Sequence, residues 1–198
     1  MHKWRRAGKT NRLHERIATM TKKIAVISAT PRKGGNSEIL CDQFMEGATA
    51  AGHQVTKINL REKRINYCTA CDACQRNGGT CVQKDDIAEI LDRMIQADVV
   101  VMATPVYFYT MNAQLKTLID RTYARYTEIS NKEFYFIMTA AVGNESLLER
   151  TLESLHGFTS CLSGAKEQGV IYGTGAWNAG DIKNSPAMGH AHAMGKGA

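Results

Sequence analysis

The segment Ile24–Ser37 constrains this chain more than any other. Ile24, Ala25, Val26 and Ile27 read as a buried strand, which breaks into the short run Ser28-Ala29-Thr30-Pro31-Arg32-Lys33-Gly34-Gly35-Asn36-Ser37. A helix is predicted from about Asn36, because Ile39, Leu40, Phe44 and Met45 recur at helical spacing. A loop that joins the carboxyl end of a strand to the amino end of a helix is suited to an anion. Unpaired N–H groups and the positive end of the helix dipole both face it. Ser28, Thr30 and Ser37 add hydroxyl donors, Asn36 adds an amide, and Arg32 adds a planar fork that fits phosphate oxygens. Two glycines allow a close approach of the backbone. The segment reads as a phosphate cradle, against the plainer alternative of an ordinary connection rich in turn formers.

The spacing narrows which phosphate could bind. The dinucleotide fingerprint G-x-G-x-x-G is absent from this loop. Gly8-Lys9-Thr10 matches the end of a P-loop, but Lys3 stands where the first glycine belongs and no strand precedes it.

The chain has 198 residues, enough for one domain with a full core. Its formal charge of +6 is concentrated at one end. Residues 1–19 hold six basic residues and one acidic, while the remainder holds 19 basic and 18 acidic. We therefore expect residues 1–20 to be a mobile basic extension and residues 21–198 a single domain. Met20-Thr21-Lys22-Lys23 leads directly into the first strand, so the extension reads as an upstream start or cloned addition. The expectation is no nucleic-acid partner and no membrane. No apolar run approaches a membrane span, and the first nineteen residues lack the apolar core of a secretory signal, which suggests a cytoplasmic protein.

Beyond the first helix, Gln54–Leu60 alternates as a second strand. Residues 61–84 form a long connection that carries cysteines. Asp85-Asp86 then opens a helix with Ile87, Ile90, Leu91, Met94 and Ile95 on one face. Asp98–Ala103 is a continuous apolar strand of the kind buried on both faces. Further helices are predicted over 111–124 and 145–162, strands over 133–139 and 167–172, and a last helix from near Pro186. The last ten residues, rich in Gly, Ala and His, are of low complexity, and His190 and His192 read as a solvated terminus. Strands that alternate with helices five times argue for an α/β fold with a doubly wound parallel sheet. Ligands of such sheets sit at the carboxyl ends of the strands, which here means segments 28–37, 104–109 and 139–146.

Thr104-Pro105-Val106-Tyr107-Phe108-Tyr109 leaves the third strand as an apolar, aromatic loop. It suits a flat ring system, or a cluster of packed aromatic residues. Together with the 28–37 loop, Leu115-Lys116, Asp120-Arg121, Asp85-Asp86 and Thr139-Ala140-Ala141-Val142-Gly143, it resembles the flavodoxin-like NAD(P)H-dependent FMN reductase family, close to its iron-sulfur flavoprotein branch. The likeness covers about residues 22–197. Ala29 departs from the glycine that relatives often carry. The resemblance implies a flavodoxin-like, five-stranded parallel sheet of order 2-1-3-4-5 with helices on both faces. It implies FMN, its phosphate on Ser28, Thr30, Arg32, Asn36 and Ser37. The ring would lie on Pro105, Val106, Tyr107 and Phe108, with Thr139, Ala140 and Gly143 closing the third side. Lys116 and Arg121 are weaker candidates, and each reads first as a helix-surface charge. Hydride would come from NAD(P)H and electrons would leave to a small acceptor such as a flavin or quinone. No side chain needs to act as acid or base. A homodimer or homotetramer is also implied.

Cys68-x-x-Cys71-x-x-Cys74, followed by Cys81 after six residues, is a second constellation. Four thiolates suit a [4Fe–4S] cluster, zinc also accepts four, and free or redox-active thiols form a third alternative. The spacing resembles that of iron-sulfur flavoproteins, which implies a rival function, electron transfer between a ferredoxin-like partner, the cluster and FMN. A non-enzymatic flavin and thiol redox sensor is a further alternative. Cys41 and Cys161 read as plain thiols.

Overall fold

The computed structural model describes residues 21–198, so the expected basic extension over 1–20 lies outside the described residues. Six strands are β1 (Lys23–Ser28), β2 (Gln54–Asn59), β3 (Val99–Tyr107), β4 (Thr110–Met111), β5 (Glu133–Thr139) and β6 (Lys166–Gly173). The helices are α1 (Asn36–Ala50), α2 (Ala73–Arg76), α3 (Ile87–Gln96), α4 (Ala113–Thr122), α5 (Glu149–Thr159) and α6 (Ala187–Lys196). The five long strands are all parallel, in the order β2-β1-β3-β5-β6, which is the expected 2-1-3-4-5 arrangement.

The sixth strand is a departure from the sequence reading. β3 runs past Ala103 through Tyr107, then folds back so that Val106 pairs with Met111 and Tyr107 with Thr110. The predicted start of a helix at 111 is therefore taken by β4. The helix begins at Ala113, where the Asn112 side chain accepts from the N–H of Leu115 and caps it.

Alternation along each strand sends side chains to two cores. On one face Ala25, Ile27, Val100, Met102, Phe134 and Phe136 meet Ile87, Ile90, Leu91 and Met94 of α3, Leu115 and Leu118 of α4 and Leu155 of α5. On the other, Ile24, Val26, Val99, Val101, Tyr135 and Ile137 meet Leu40 and Phe44 of α1 and Ala187 and Ala191 of α6. Each large apolar side chain so buried is worth roughly 1.5–3 kcal/mol.

The glycine-rich end is thus an ordered helix packed on α1. Its glycines are what the crossing needs. A Cβ on Gly47 would stand 2.0 Å from the His192 carbonyl oxygen, and one on Gly195 1.9 Å from that of Phe44. His190 is exposed and His192 half-buried.

Candidate functional site

The carboxyl ends of β1, β3, β5 and β6 enclose a cleft of about 190 Å³. One wall is the loop that the strand–helix pattern singled out. Thr30 Oγ1 accepts from the N–H of Arg32 at 3.3 Å, and the N–H of Gly35 reaches the Arg32 carbonyl at 3.2 Å. Gly35 has no room for a side chain, since a Cβ there would meet Thr30 Oγ1 at 2.5 Å. Gly35 precedes α1 in extended conformation, and no side chain caps the helix amino end. Ser37 Oγ is buried without a hydrogen-bond partner. An unpartnered buried hydroxyl beside uncapped helix N–H groups is a donor set that lacks its acceptor.

The opposite wall is apolar. Pro105, Val106 and Tyr107 come from the end of β3, Thr139, Ala140 and Ala141 from the end of β5, and Ala176, Trp177 and Ala179 from beyond β6. Buried Asn112 ties the ends of β1 and β3 together. Its Nδ2 donates to the Ala29 carbonyl, and its backbone N–H donates to Thr104 Oγ1 at 3.1 Å.

Nine of the twelve expected flavin residues line this cleft: Thr30, Arg32, Asn36, Ser37, Pro105, Val106, Tyr107, Thr139 and Ala140. Ser28 is fully buried at the end of β1 and does not reach the surface of the cleft. Gly143 is exposed outside it. Phe108 is 100% exposed at the tip of the β3–β4 turn, where it and Tyr109 both hold positive φ, 49° and 62°. Asn36 lines the cleft, yet its carboxamide is committed elsewhere. Nδ2 donates to the carbonyls of Ala176 and Asn178, and Oδ1 accepts from the N–H groups of Gly180 and Ile182. It therefore pins the 176–182 segment to the start of α1.

That segment is what sequence reasoning missed. Trp177 is 74% exposed at the rim, and its carbonyl accepts from Arg32 Nη1 at 3.3 Å. Its place after β6 was the available signal, because every parallel strand delivers its carboxyl end to the same edge.

The cysteine connection lies on the α3–α4 side of the sheet. Cys68 and Cys71 are exposed, Cys74 and Cys81 are half-buried, and all four are free thiols. Hydrogen bonds from the Ala73 backbone and the Thr69 side chain hold the Cys71 thiol below its usual range. Cys68 faces a cavity of about 820 Å³ together with Cys161, Tyr123 and Tyr126, whereas Cys81 faces a separate one. Among the described residues no three His, Cys, Asp or Glu side chains are grouped as metal ligands. The donor set is chemically right for an iron-sulfur cluster or zinc, but in this conformation the loop does not fit either.

Arg121 is not the helix-surface charge that spacing allowed. Its side chain is 2% exposed and pairs with the fully buried Asp85 carboxylate, at 2.7 Å from Nη1 and 3.0 Å from Nη2. Nη1 also donates to the Asn66 carbonyl at 2.6 Å, and Nη2 lies 3.3 Å from Cys81 Sγ. Burial works against the Asp85 charge, but the Arg121 guanidinium and the N–H groups of Asn66 and Ile87 outweigh it and hold the carboxyl below 3.8. Lys116 does sit on the surface, paired with Asp120 one turn on.

Comparison with known proteins places the chain in a family. The NADPH-dependent FMN reductase family matches residues 22–166. The chain belongs to that family, which is one of flavin-dependent oxidoreductases. An iron-sulfur flavoprotein of Methanocaldococcus jannaschii is 32% identical over 170 residues, covering 82% of this chain and 87% of the relative. Another, from Archaeoglobus fulgidus, is 40% identical over 95 residues, which span 48% of this chain and 43% of that relative. This match thus covers less than half of the A. fulgidus protein. Among solved structures, an NAD(P)H:quinone oxidoreductase from Methanothermobacter marburgensis superposes with a TM-score of 0.72 at 17% identity, over 89% of this chain and 96% of that one. An azoreductase from Bacillus anthracis gives 0.68 at 17% identity, over 90% and 100%. At such identities the likeness is one of fold. No helix among the described residues is long and apolar enough to cross a membrane.

Proposed function

We propose that the cleft holds FMN and that the protein passes electrons from NAD(P)H to a small acceptor, a flavin, a quinone or a similar compound, in the cytoplasm. The observation that carries this reading is the unpartnered Ser37 hydroxyl at the uncapped amino end of α1, facing an apolar wall across a narrow cleft. Thr30, Arg32 and Ser37 would hold the phosphate, with Gly35 giving the backbone its close approach. Pro105, Val106, Tyr107, Thr139 and Ala140 would hold the ring and exclude water from its edge. FMN, when bound, supplies the hydride and electron chemistry. The chain binds and orients it, and no acid or base need be assigned.

The exposed aromatic rim of Phe108, Tyr109 and Trp177 supports a homodimer or homotetramer in which a neighbour covers the cleft. The test is reconstitution of flavin-free protein with FMN under anaerobic conditions, followed by NADPH or NADH. Bleaching of the flavin absorbance by either nucleotide is expected. Protein that cannot take up FMN sinks the reading.

The names of the archaeal relatives favour a second reading, with a [4Fe–4S] cluster on Cys68, Cys71, Cys74 and Cys81 and a ferredoxin-like partner. It requires the four thiols to be drawn together, since no three of them are grouped as metal ligands among the described residues. Iron and labile-sulfide analysis of anaerobically prepared protein decides it, since four irons per chain are expected on this reading and none on the first.

A further inference from the structure

Beneath the phosphate-side loop lies a charged group that does not line the cleft. Glu38 sits in the first turn of α1 and is 6% exposed. Its Oε2 accepts from the Gly34 N–H at 2.8 Å and lies 2.9 Å from Arg61 Nη1, while Oε1 accepts from Lys57 Nζ at 3.1 Å. Lys57 comes from β2 and Arg61 from the turn that follows it. One carboxylate therefore fastens the middle of the loop to the neighbouring strand.

We infer that Glu38 is a positioning residue that sets the loop in its anion-binding shape, and so selects the phosphorylated flavin over the unphosphorylated one. The inference rests on the cleft being an FMN site. Gly34 is the point at which the loop must be held, because its φ of +67° turns the chain back toward Gly35 and α1. A buried acid at the amino end of a helix helps that helix but would repel a bound phosphate. Lys57 and Arg61 remove the conflict by neutralising it where it stands. Burial alone would favour the protonated acid, yet Arg61, the Gly34 N–H and Lys57 hold Glu38 below its ordinary 4.5, so it stays ionised at neutral pH.

Removing Glu38 has two opposed consequences, and the structure decides between them. The loop loses its anchor, which weakens phosphate binding, while two cations lose a partner, which would strengthen it if they swung to the cleft. They keep other partners. Lys57 lies 2.6 Å from Asp42 and Arg61 2.8 Å from Glu62. Loss of the anchor therefore governs the outcome.

The test measures FMN and riboflavin binding to flavin-free protein by flavin fluorescence, for the natural chain, Glu38→Ala and Glu38→Gln. Glu38→Ala is expected to weaken FMN about tenfold, the order of a lost hydrogen bond to a charged acceptor, and to leave riboflavin within about twofold. Glu38→Gln should fall between, because a carboxamide can serve Gly34 or a cation but not both. It also keeps the test open if the alanine variant does not fold. Hydrogen exchange at the Gly34 amide should quicken in step. Unchanged or tighter FMN binding, or equal loss of FMN and riboflavin, overturns the assignment. If the natural chain itself binds FMN no better than riboflavin, the phosphate reading of the cleft falls first, and this inference with it.

Discussion

Arg121→Met tests whether the cysteine connection is fastened to the fold by one buried ion pair. The methionine has a similar length and no charge, so packing is disturbed little while four contacts are lost: two to Asp85, one to the Asn66 carbonyl and one to Cys81 Sγ. Breaking a buried pair from one side costs about 3–5 kcal/mol, mostly because the remaining charge is stranded. Here that part has a ceiling. Asp85 can escape by taking up a proton, and moving a carboxyl from its ordinary 3.8 to neutral form at pH 7 costs about 4 kcal/mol. At pH 5 the same escape costs only about 2 kcal/mol. In the natural chain Asp85 is held below 3.8, so its contribution is fully present above that pH and is lost only as pH falls through the folded value. The penalty of the variant should therefore be about 4 kcal/mol at pH 7 and about 2 kcal/mol smaller at pH 5. Urea unfolding of thiol-reduced protein at the two pH values measures both. Adding Asp85→Asn should recover more than half of the loss at pH 7. A penalty below about 1 kcal/mol at pH 7, or one that does not shrink at pH 5, would refute the argument.

Cys41 is fully buried and its thiol is pushed up to about 12, whereas Cys71 is exposed and shifted down. Limiting iodoacetamide at pH 7.5 (roughly neutral) should label Cys71 early and Cys41 only after unfolding, as read by peptide mass spectrometry. Gly47→Ala should lower stability by about 2–3 kcal/mol, because the new methyl meets the His192 carbonyl rather than a mobile side chain. A thermal midpoint within about 1 °C of the natural protein's would exclude that crossing. Phe108→Asn combined with Tyr109→Gly supplies the pair that tight hairpins favour at positive φ and should stabilise the β3–β4 turn by about 1 kcal/mol or more. If the aromatic tip serves the cleft, the same variant should reduce flavin affinity, and a more stable variant with unaltered affinity would remove Phe108 from the ring-binding set.

The parts of this fold legible in the sequence are those whose cause is local or repeats along the chain. Ile87, Ile90, Leu91 and Met94 declare α3 because a single face is buried, and Val99–Ala103 declares β3 because both faces are. The loop wall of the cleft was legible for the same reason, since strand, glycines and helix start are contiguous. Arg121 was not. Its partner stands 36 residues away, and helical spacing says only which face of α4 it occupies. The hairpin was hidden because Phe108-Tyr109 is the reverse of a turn signal, and only the pairing of Val106 with Met111 makes it one.

The final helix was legible from near Pro186, but what it packs against was not. Glycine lowers helix propensity by about 1 kcal/mol per residue, and the last ten residues by themselves read only as a solvated, low-complexity terminus. Yet Gly47 and Gly195 are where α1 and α6 touch backbone to backbone, and larger residues would force the helices apart. That contact bears on the cleft. α6 follows directly on the 176–182 segment that Asn36 holds, and α1 begins at the loop that Glu38 holds. Close packing of the two helices therefore keeps Trp177 opposite Arg32. The residues that shape the cleft thus include glycines remote from it, and their demand for closeness overrides their propensity.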